Sequence, residues 1–230
     1  TVKKTASRLD RGRAGRGYQY LLEADAYYFL LQTKKLLETG KISDVRRNGR
    51  YLETFMRGTH GNWTVILLHP YVGFYWYKLV QLFLPQASLM KTLGFLSILL
   101  TLLIVPLYLL FGKVLRISFG ASVVGLVTIL FSPIFIQRSA LGWYDTDPYS
   151  YLFPLTILAF VFQGLKEPKW FWLGVVGSSL MTALYALFWP GWAFIAVLIP
   201  FSLFGSVAIL WFFQGSQTTE LMRNALRFLS

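Results

Sequence analysis

The chain contains no cysteine, so it has no disulfide framework and no thiolate that could bind a metal or act as a nucleophile. It also has little charge: Asp, Glu, Lys and Arg make up only 14% of the residues, and no acid lies between Glu53 and Asp145. With 55% hydrophobic residues and a mean hydropathy of +0.52, it is too apolar for an ordinary soluble domain. The composition predicts a polytopic membrane protein.

The net charge of +12 is concentrated near the start of the chain. Residues 1–57 hold 13 of the 22 Lys and Arg residues, mixed with six acids. The other basic residues lie mostly at the edges of apolar segments, where such side chains reach the membrane surface or set orientation. We therefore expect a membrane-lipid environment and no nucleic-acid partner.

Five uncharged apolar segments of about 18–23 residues are each long enough to cross a hydrocarbon core of about 30 Å. They are residues 92–112, 117–136, 148–165, 170–189 and 191–213. A sixth segment, 63–84, carries His69 and Lys78 and either crosses the membrane or lies at its interface. The predicted fold is an all-α, polytopic bundle of transmembrane helices.

The short basic loops set the orientation of this bundle. Lys113 and Arg116 separate the first two uncharged segments, and Lys166 and Lys169 separate the third and fourth. The positive-inside rule puts both loops in the cytoplasm, so the loop between the second and third segments is extracytoplasmic. Residues 1–57 share that outer side only if segment 63–84 stays at the interface; charge counting alone favours a crossing.

That outer loop holds two acids, Asp145 and Asp147, between Gly142 and Pro148. Paired carboxylates at this spacing are suited to a hard divalent cation, although Asp also caps helices that begin with Pro. A third acid, Asp25, opens a segment of helical spacing that ends near Gly40. Its alternative role is that of an acid favoured by the dipole at a helix N-terminus.

Three pieces of the sequence occur in an order that resembles the catalytic subunit of oligosaccharyltransferase. They are Asp25-Ala-Tyr-Tyr with its helix and Gly40, a basic and aromatic outer loop, and Arg-Ser-Ala-Leu-Gly-Trp-Tyr-Asp-Thr-Asp at 138–147. The last is close to the family pattern Arg-x(3)-Gly-x-Tyr-Asp-x-Asp. Phe-Trp-Pro-Gly-Trp at 188–192 lies where the family has a turn rich in Trp and Pro.

The resemblance implies a GT-C glycosyltransferase that moves an oligosaccharide from a polyprenyl (di)phosphate carrier to Asn in Asn-x-Ser/Thr sequences of an acceptor polypeptide. It implies that Asp25, Asp145 and Asp147 bind Mg²⁺ or Mn²⁺ and that Arg138 pairs with phosphate or carboxylate. Both acidic loops would face the extracytoplasmic side, with 63–84 at the interface and a further span before residue 1.

The resemblance divides the chain into three parts. Residues 1–88 would be the first outer loop with interfacial helices, and 89–217 the membrane bundle with the acidic loop at 137–147. Residues 218–230 would begin a cytoplasmic segment. The family's catalytic Glu loop and its sequon-reading soluble domain have no counterpart here, so we expect the isolated 230 residues to be inactive.

Two other functions remain open. Another GT-C enzyme, such as a protein O-mannosyltransferase, also has acids in its first outer loop but lacks the second-loop motif. A transporter or scaffold subunit is the non-enzymatic alternative, yet the five uncharged segments offer no polar pathway. His60 and His69 are predicted to be loop or interface residues. The compact loops and absent cysteine favour a prokaryotic, in particular archaeal, cell membrane; a eukaryotic protein would lie in the ER membrane.

Overall fold

Helices make up most of the fold, as the sequence predicts. The computed structural model describes residues 21–43, 45–48, 50–53, 62–64 and 67–214. The helices within these ranges are α1 (Ala24–Thr39), α2 (His69–Phe83), α3 (Leu89–Leu102), α4 (Ile104–Val114), α5 (Phe119–Leu130), α6 (Pro133–Arg138), α7 (Tyr149–Lys166), α8 (Phe171–Ala186) and α9 (Trp192–Gln214). A 3₁₀ turn at Pro168–Trp170 precedes α8.

A small antiparallel sheet lies between α1 and α2, so the prediction of a purely helical fold is incomplete. Its strands are β1 (Arg46–Arg47), β2 (Arg50–Glu53) and β3 (Asn62–Thr64), in the order β1-β2-β3. Asn48 reverses the chain between β1 and β2 with a φ of 50°. Strands of two to four residues are too short to show an alternating apolar pattern, which is why the sequence does not reveal them.

Helix α1 buries one face and ends where the sequence predicts. Its buried apolar residues recur at helical spacing: Ala26, Phe29, Leu30 and Leu36. Gly40 takes the left-handed conformation with a φ of 72° and donates its N–H to the Leu36 carbonyl at 2.9 Å. This C-terminal cap is one that glycine adopts without steric cost.

Within the described residues, two helices are long and apolar enough to cross a membrane. The first is the 26-residue segment Leu89–Val114, in which α3 continues into α4, and the second is Trp192–Ile209 within α9. They correspond to the predicted spans 92–112 and 191–213. The predicted span 117–136 contains the shorter apolar helix Phe119–Leu130. This span and those at 148–165 and 170–189 remain predictions.

Helix α7 is the centre of the bundle and packs against α8 and α4. At the contact with α8 a Cβ on Gly174 would lie 2.8 Å from the Gly164 Cα, so only glycine permits this approach. One hydrophobic core is built around α7, α8 and α9; its buried members are Tyr149, Ile157, Val161, Leu165, Tyr185 and Val207. A second core joins α1 and α3 to Tyr144.

The bundle has two chemically different ends. At one end Lys166 donates from Nζ to the Val114 carbonyl at 3.0 Å, and Arg116 pairs with Glu167 at 3.9 Å. This basic end, residues 113–118 and 166–169, brings together the two loops that the positive-inside rule assigns to one side. The acidic end, Asp25 with residues 142–148, lies at the opposite terminus of α7.

Candidate functional site

The loop that carries Asp145 and Asp147 is joined through one glycine to two other parts of the chain. Gly142 donates its N–H to the Gly94 carbonyl at 3.1 Å, and its own carbonyl accepts from the Leu22 N–H at 3.1 Å. A Cβ on Gly94 would lie 3.3 Å from the Gly142 Cα, and Gly142 itself has a φ of 95°. Both positions therefore favour glycine, and the start of α1 is held directly against this loop.

Asp145 is a buried carboxylate, 8% exposed. Its Oδ1 accepts from the Thr146 N–H at 2.5 Å and from the Thr146 hydroxyl at 3.2 Å. Burial raises its pKa from 3.8 to about 6; the Thr146 N–H opposes this rise, and the charges of Asp147 and Asp25 add to it. The hydrogen bond from the Leu22 N–H to the Gly142 carbonyl brings the start of α1, and with it Asp25, to the same end of the molecule as Asp145.

Asp147 is held in place by two donors. Arg138 Nη1 lies 2.7 Å from Oδ1, and the Trp143 indole N–H donates to Oδ2 at 2.8 Å. The Asp147 side chain is 13% exposed and the Arg138 side chain 45%. The charge of Asp147 also raises the pKa of Arg138. The sequence predicted Arg138 as a partner of phosphate or carboxylate, and here the guanidinium pairs with a carboxylate; the contribution of Trp143 was missed.

Asp25 lies in the first turn of α1 and is exposed to solvent. Among the residues that the structure describes, no side chain forms a hydrogen bond or ion pair with its carboxylate. Asp145 likewise leaves Oδ2 without a hydrogen bond in the same ranges. These are the oxygens that the site leaves open toward a cationic or hydrogen-bonding ligand.

The donor set suits a divalent cation in part. Carboxylate oxygens are the ligands of Mg²⁺ and Mn²⁺, and the mutual repulsion of Asp25, Asp145 and Asp147 would be relieved by a cation. Asp147 uses both oxygens on Arg138 and Trp143, although each oxygen retains a lone pair. Over the described ranges no group of three or more His, Asp or Glu side chains is close enough to hold a metal ion. Asp25 and Asp145 are the better-placed pair.

Beneath the acidic loop lies a fully buried polar layer that the sequence did not predict. Tyr144 is 0% exposed, and its hydroxyl is 2.9 Å from the Thr33 hydroxyl on α1. His69 is also 0% exposed, and its Nδ1 is 3.1 Å from the Tyr149 hydroxyl. Burial lowers the pKa of His69 to about 3, so the ring is neutral. His69, expected to be a loop or interface residue, is the first residue of α2, and its ring is buried inside the protein; His60 lies outside the described residues.

The turn at 189–192 lies beside this layer. The Leu68 N–H donates to the Leu187 carbonyl at 2.7 Å, which joins the start of α2 to the end of α8. Trp189 stacks on Tyr185 with ring centroids 5.6 Å apart, and Phe188 lies 4.4 Å from Tyr149. Aromatic side chains thus pack against the acidic end on the side of α8 and α9.

Comparisons with known proteins agree with this arrangement. The family model "Oligosaccharyl transferase STT3, N-terminal" matches residues 13–221. A dolichyl-phosphooligosaccharide-protein glycotransferase from Methanococcus voltae is 24% identical over 207 residues. The match covers 84% of this chain and 22% of that protein, so the chain spans about a fifth of the length of this relative.

Proposed function

The chain belongs to the STT3 family of oligosaccharyl transferases, and on that premise we propose that it forms the N-terminal membrane part of an enzyme of N-glycosylation. The enzyme would transfer an oligosaccharide from a polyprenyl (di)phosphate carrier to the side-chain amide of Asn in Asn-x-Ser/Thr. The name of the Methanococcus relative, a dolichyl-phosphooligosaccharide-protein glycotransferase, supports a lipid-linked oligosaccharide as donor. The observation that carries the proposal is the hydrogen bond between Leu22 and Gly142, which puts Asp25 and Asp145 at the same end of the bundle.

The chemistry of this transfer explains the need for acids. An amide nitrogen is a poor nucleophile because its lone pair is delocalised into the carbonyl group. Carboxylates that accept hydrogen bonds from the amide NH₂ orient this group and weaken its conjugation. Asp25 is exposed and within the electrostatic reach of Asp145, so these two acids are the ones available to do this.

Asp25 and Asp145 would also hold a divalent cation, Mg²⁺ or Mn²⁺. The cation supplies positive charge opposite the phosphate group that leaves as the glycosyl bond breaks. Asp147 would contribute either as a further ligand or by fixing the loop through Arg138 and Trp143. The bonds of Asp147 at 2.7 and 2.8 Å favour the second role, with Arg138 holding the loop rather than the leaving group.

The proposed topology is that of a GT-C enzyme with its acidic end on the extracytoplasmic face. Helix α2 has 15 residues, which corresponds to about 22 Å and is shorter than the hydrocarbon core of about 30 Å. It exposes large apolar side chains such as Leu82 (77%) and Phe83 (76%), as an interfacial helix does. A helix that stays at the interface leaves α1 on the same side as the acidic loop.

Cysteine accessibility tests this topology. The chain lacks cysteine, and Ala24 and Gln137 are exposed at the acidic end, whereas Ser118 and Lys169 are exposed at the basic end. In intact cells, a membrane-impermeant thiol reagent should label Ala24→Cys and Gln137→Cys. It should label Ser118→Cys and Lys169→Cys only after the membrane is opened. Labelling of Gln137→Cys without Ala24→Cys would place the acids on opposite sides and refute the proposal.

The reaction itself requires the full-length protein. We expect that protein to glycosylate a peptide with an Asn-x-Thr sequon from a polyprenyl-linked donor, and not a peptide whose Asn is replaced by Gln. Sugar on the Thr of the Gln peptide would instead identify a protein O-mannosyltransferase-like enzyme. The isolated 230 residues should show no transfer, since they span about a fifth of the relative.

A further inference from the structure

His69 is a buried polar residue for which the proposed chemistry has no use. Its ring is 0% exposed, its Nδ1 lies 3.1 Å from the Tyr149 hydroxyl, and the backbone of Tyr144 is close enough to oppose the lowering of the His69 pKa. Nε2 has no partner within the described part of the chain. An unsatisfied buried nitrogen is unfavourable, and natural proteins retain few of them. A phenylalanine would fill similar space without that cost, so His69 calls for a reason other than packing.

The neighbours of His69 indicate that reason. Its ring lies 4.3 Å from the ring of Tyr144, the residue that precedes Asp145. On its other side it meets Phe29 of α1 edge-on at 4.9 Å, and through Nδ1 it reaches Tyr149 at the start of α7. His69 therefore contacts all three elements whose relative positions set the distance between Asp25 and Asp145: α1, the acidic loop and α7.

Tyr144 is fixed from the opposite edge as well. Its hydroxyl bonds with the Thr33 hydroxyl at 2.9 Å, and Thr33 also donates to the Pro70 carbonyl at 3.3 Å, one residue beyond His69. A Cβ on Gly73 would overlap the Tyr144 hydroxyl, so helix α2 leaves just enough room for this ring. Tyr144 is thus packed between α1 and α2, and the His69 ring contacts the Tyr144 ring.

We propose that His69 is a positioning residue which, with the Tyr149 hydroxyl, holds Tyr144 and thereby sets the Asp145 carboxylate at its working distance from Asp25. The catalytic part of this inference, that the distance between Asp145 and Asp25 matters for glycan transfer, rests on the proposed function. The geometric part, that His69 keeps the acidic loop closed, stands without it. The two parts are tested by different measurements.

The main test is the double variant His69→Phe/Tyr149→Phe in the full-length enzyme. Removing both partners of a buried hydrogen bond with side chains of similar shape changes stability little, whereas His69→Phe alone would leave the Tyr149 hydroxyl unpaired. We expect the double variant to keep its Tm within about 3 °C while kcat for a sequon peptide falls about tenfold or more and KM changes less than twofold. Unchanged kcat would overturn the proposal.

Two further variants separate positioning from folding. His69→Asn places an amide near the position of Nδ1 and should restore at least half of the lost kcat in the presence of Tyr149. Tyr77→Phe is the matched control, because Tyr77 lies on the same helix and bonds to Ala87 at 3.2 Å and Gln81 at 3.1 Å, away from the acidic loop. It should leave kcat unchanged. If kcat and Tm fall together and Asn restores neither, His69 is only structural and the proposal fails.

The geometric part, that His69 keeps the acidic loop closed, is measured by cysteine labelling and needs no activity assay. Thr146 is 6% exposed, so a single cysteine there is protected while the loop is closed. In a cysteine-free full-length background, Thr146→Cys should react with a thiol reagent at least fivefold faster when combined with His69→Phe/Tyr149→Phe, and at the same rate when combined with Tyr77→Phe. Equal rates in all three would refute the positioning role. If the wild type transfers no glycan but the double variant still labels faster, only the proposed function is refuted.

Discussion

The two ends of the bundle carry charge in opposite ways. At the acidic end, two of the three carboxylates are held within the protein: Asp145 is buried, Asp147 is 13% exposed, and both are fixed by neighbouring residues, whereas Asp25 is exposed. At the basic end, Arg116 (76% exposed) and Lys169 (73%) pair with Glu167 at 3.9 and 3.3 Å in contact with solvent. Buried charge is costly and is kept where it has a use, whereas exposed pairs contribute little. The difference agrees with the proposal that the acidic end does the chemistry and the basic end orients the protein.

The largest expected effect is the loss of activity on substitution of Asp145. Asp145→Asn keeps the shape of the side chain but removes the negative charge, so kcat/KM for glycan transfer by the full-length enzyme should fall by on the order of 10²–10³. Glu167→Gln, the same chemical change at the basic end, should leave kcat/KM within twofold. Equal losses in the two variants would contradict the contrast between the ends.

The next effect is a dependence of activity on pH. The pKa of Asp145 is raised to about 6 in the cation-free protein, so below pH 6 a proton competes with the cation for this carboxylate; at a subsaturating concentration of Mn²⁺, kcat/KM should fall about tenfold per pH unit. Measurement of kcat/KM from pH 5 to 8 checks this. A flat profile over that range would show that ionised Asp145 is not required.

The free energy of unfolding should also depend on pH through Asp145, in the direction opposite to activity. Because the folded protein holds this proton more tightly than the unfolded chain, the stabilising contribution is complete below about pH 4 and is lost as pH rises through about 6. Asp145→Asn cannot titrate, so its Tm relative to wild type should rise between pH 4.5 and 7. A constant difference would mean that the carboxyl is not buried.

A smaller effect is expected on stability when one glycine from each end of the bundle is replaced by alanine. Gly73→Ala would push a methyl group into Tyr144 and should cost about 1–3 kcal/mol of folding free energy. Gly120→Ala meets no atom within 4 Å and should be neutral or slightly stabilising, because alanine favours a helix. Thermal unfolding of the two variants in the same detergent measures the difference, and a similar Tm for both would contradict it.

The smallest effect compares the ion pairs. Asp147→Asn weakens a well-shielded bond at 2.7 Å and should cost about 1–2 kcal/mol, while Glu167→Gln should cost less than about 0.5 kcal/mol. Unfolding at low and high salt checks this, since salt screens exposed pairs more strongly than shielded ones. A larger loss for Glu167→Gln would reverse the ranking of the two ends.

Local patterns in the sequence were sufficient for part of this structure. The α1 helix and its cap at Gly40 follow from spacing and from one glycine, and the acidic loop follows from Gly142 and Pro148. The family resemblance placed Asp25 and Asp145 together, which charge counting alone did not favour. These features depend on residues close in sequence or on a known motif.

The remainder depends on contacts that no local pattern encodes. Thr33 and Tyr144 are 111 residues apart, and His69 and Tyr149 are 80 apart, so nothing in either neighbourhood indicates the buried polar layer. A histidine before a proline in an aromatic segment is equally typical of an interface. The hydrogen bonds that Trp143 and Thr146 donate to Asp147 and Asp145 likewise depend on the folded loop and are not indicated by the sequence.

The bond between Thr33 and Tyr144 also has a consequence for the order of biosynthesis. Helix α1 cannot acquire its partner until a further 111 residues have been made, which takes roughly 5–20 s at ordinary rates of translation. During that interval Phe29 and Leu30 of α1 lack Tyr144, the residue of the acidic loop that completes their hydrophobic core. The nascent chain therefore passes through a stage in which α1 can pack on α2 but not on the acidic loop, and translation of residues 142–148 ends that stage.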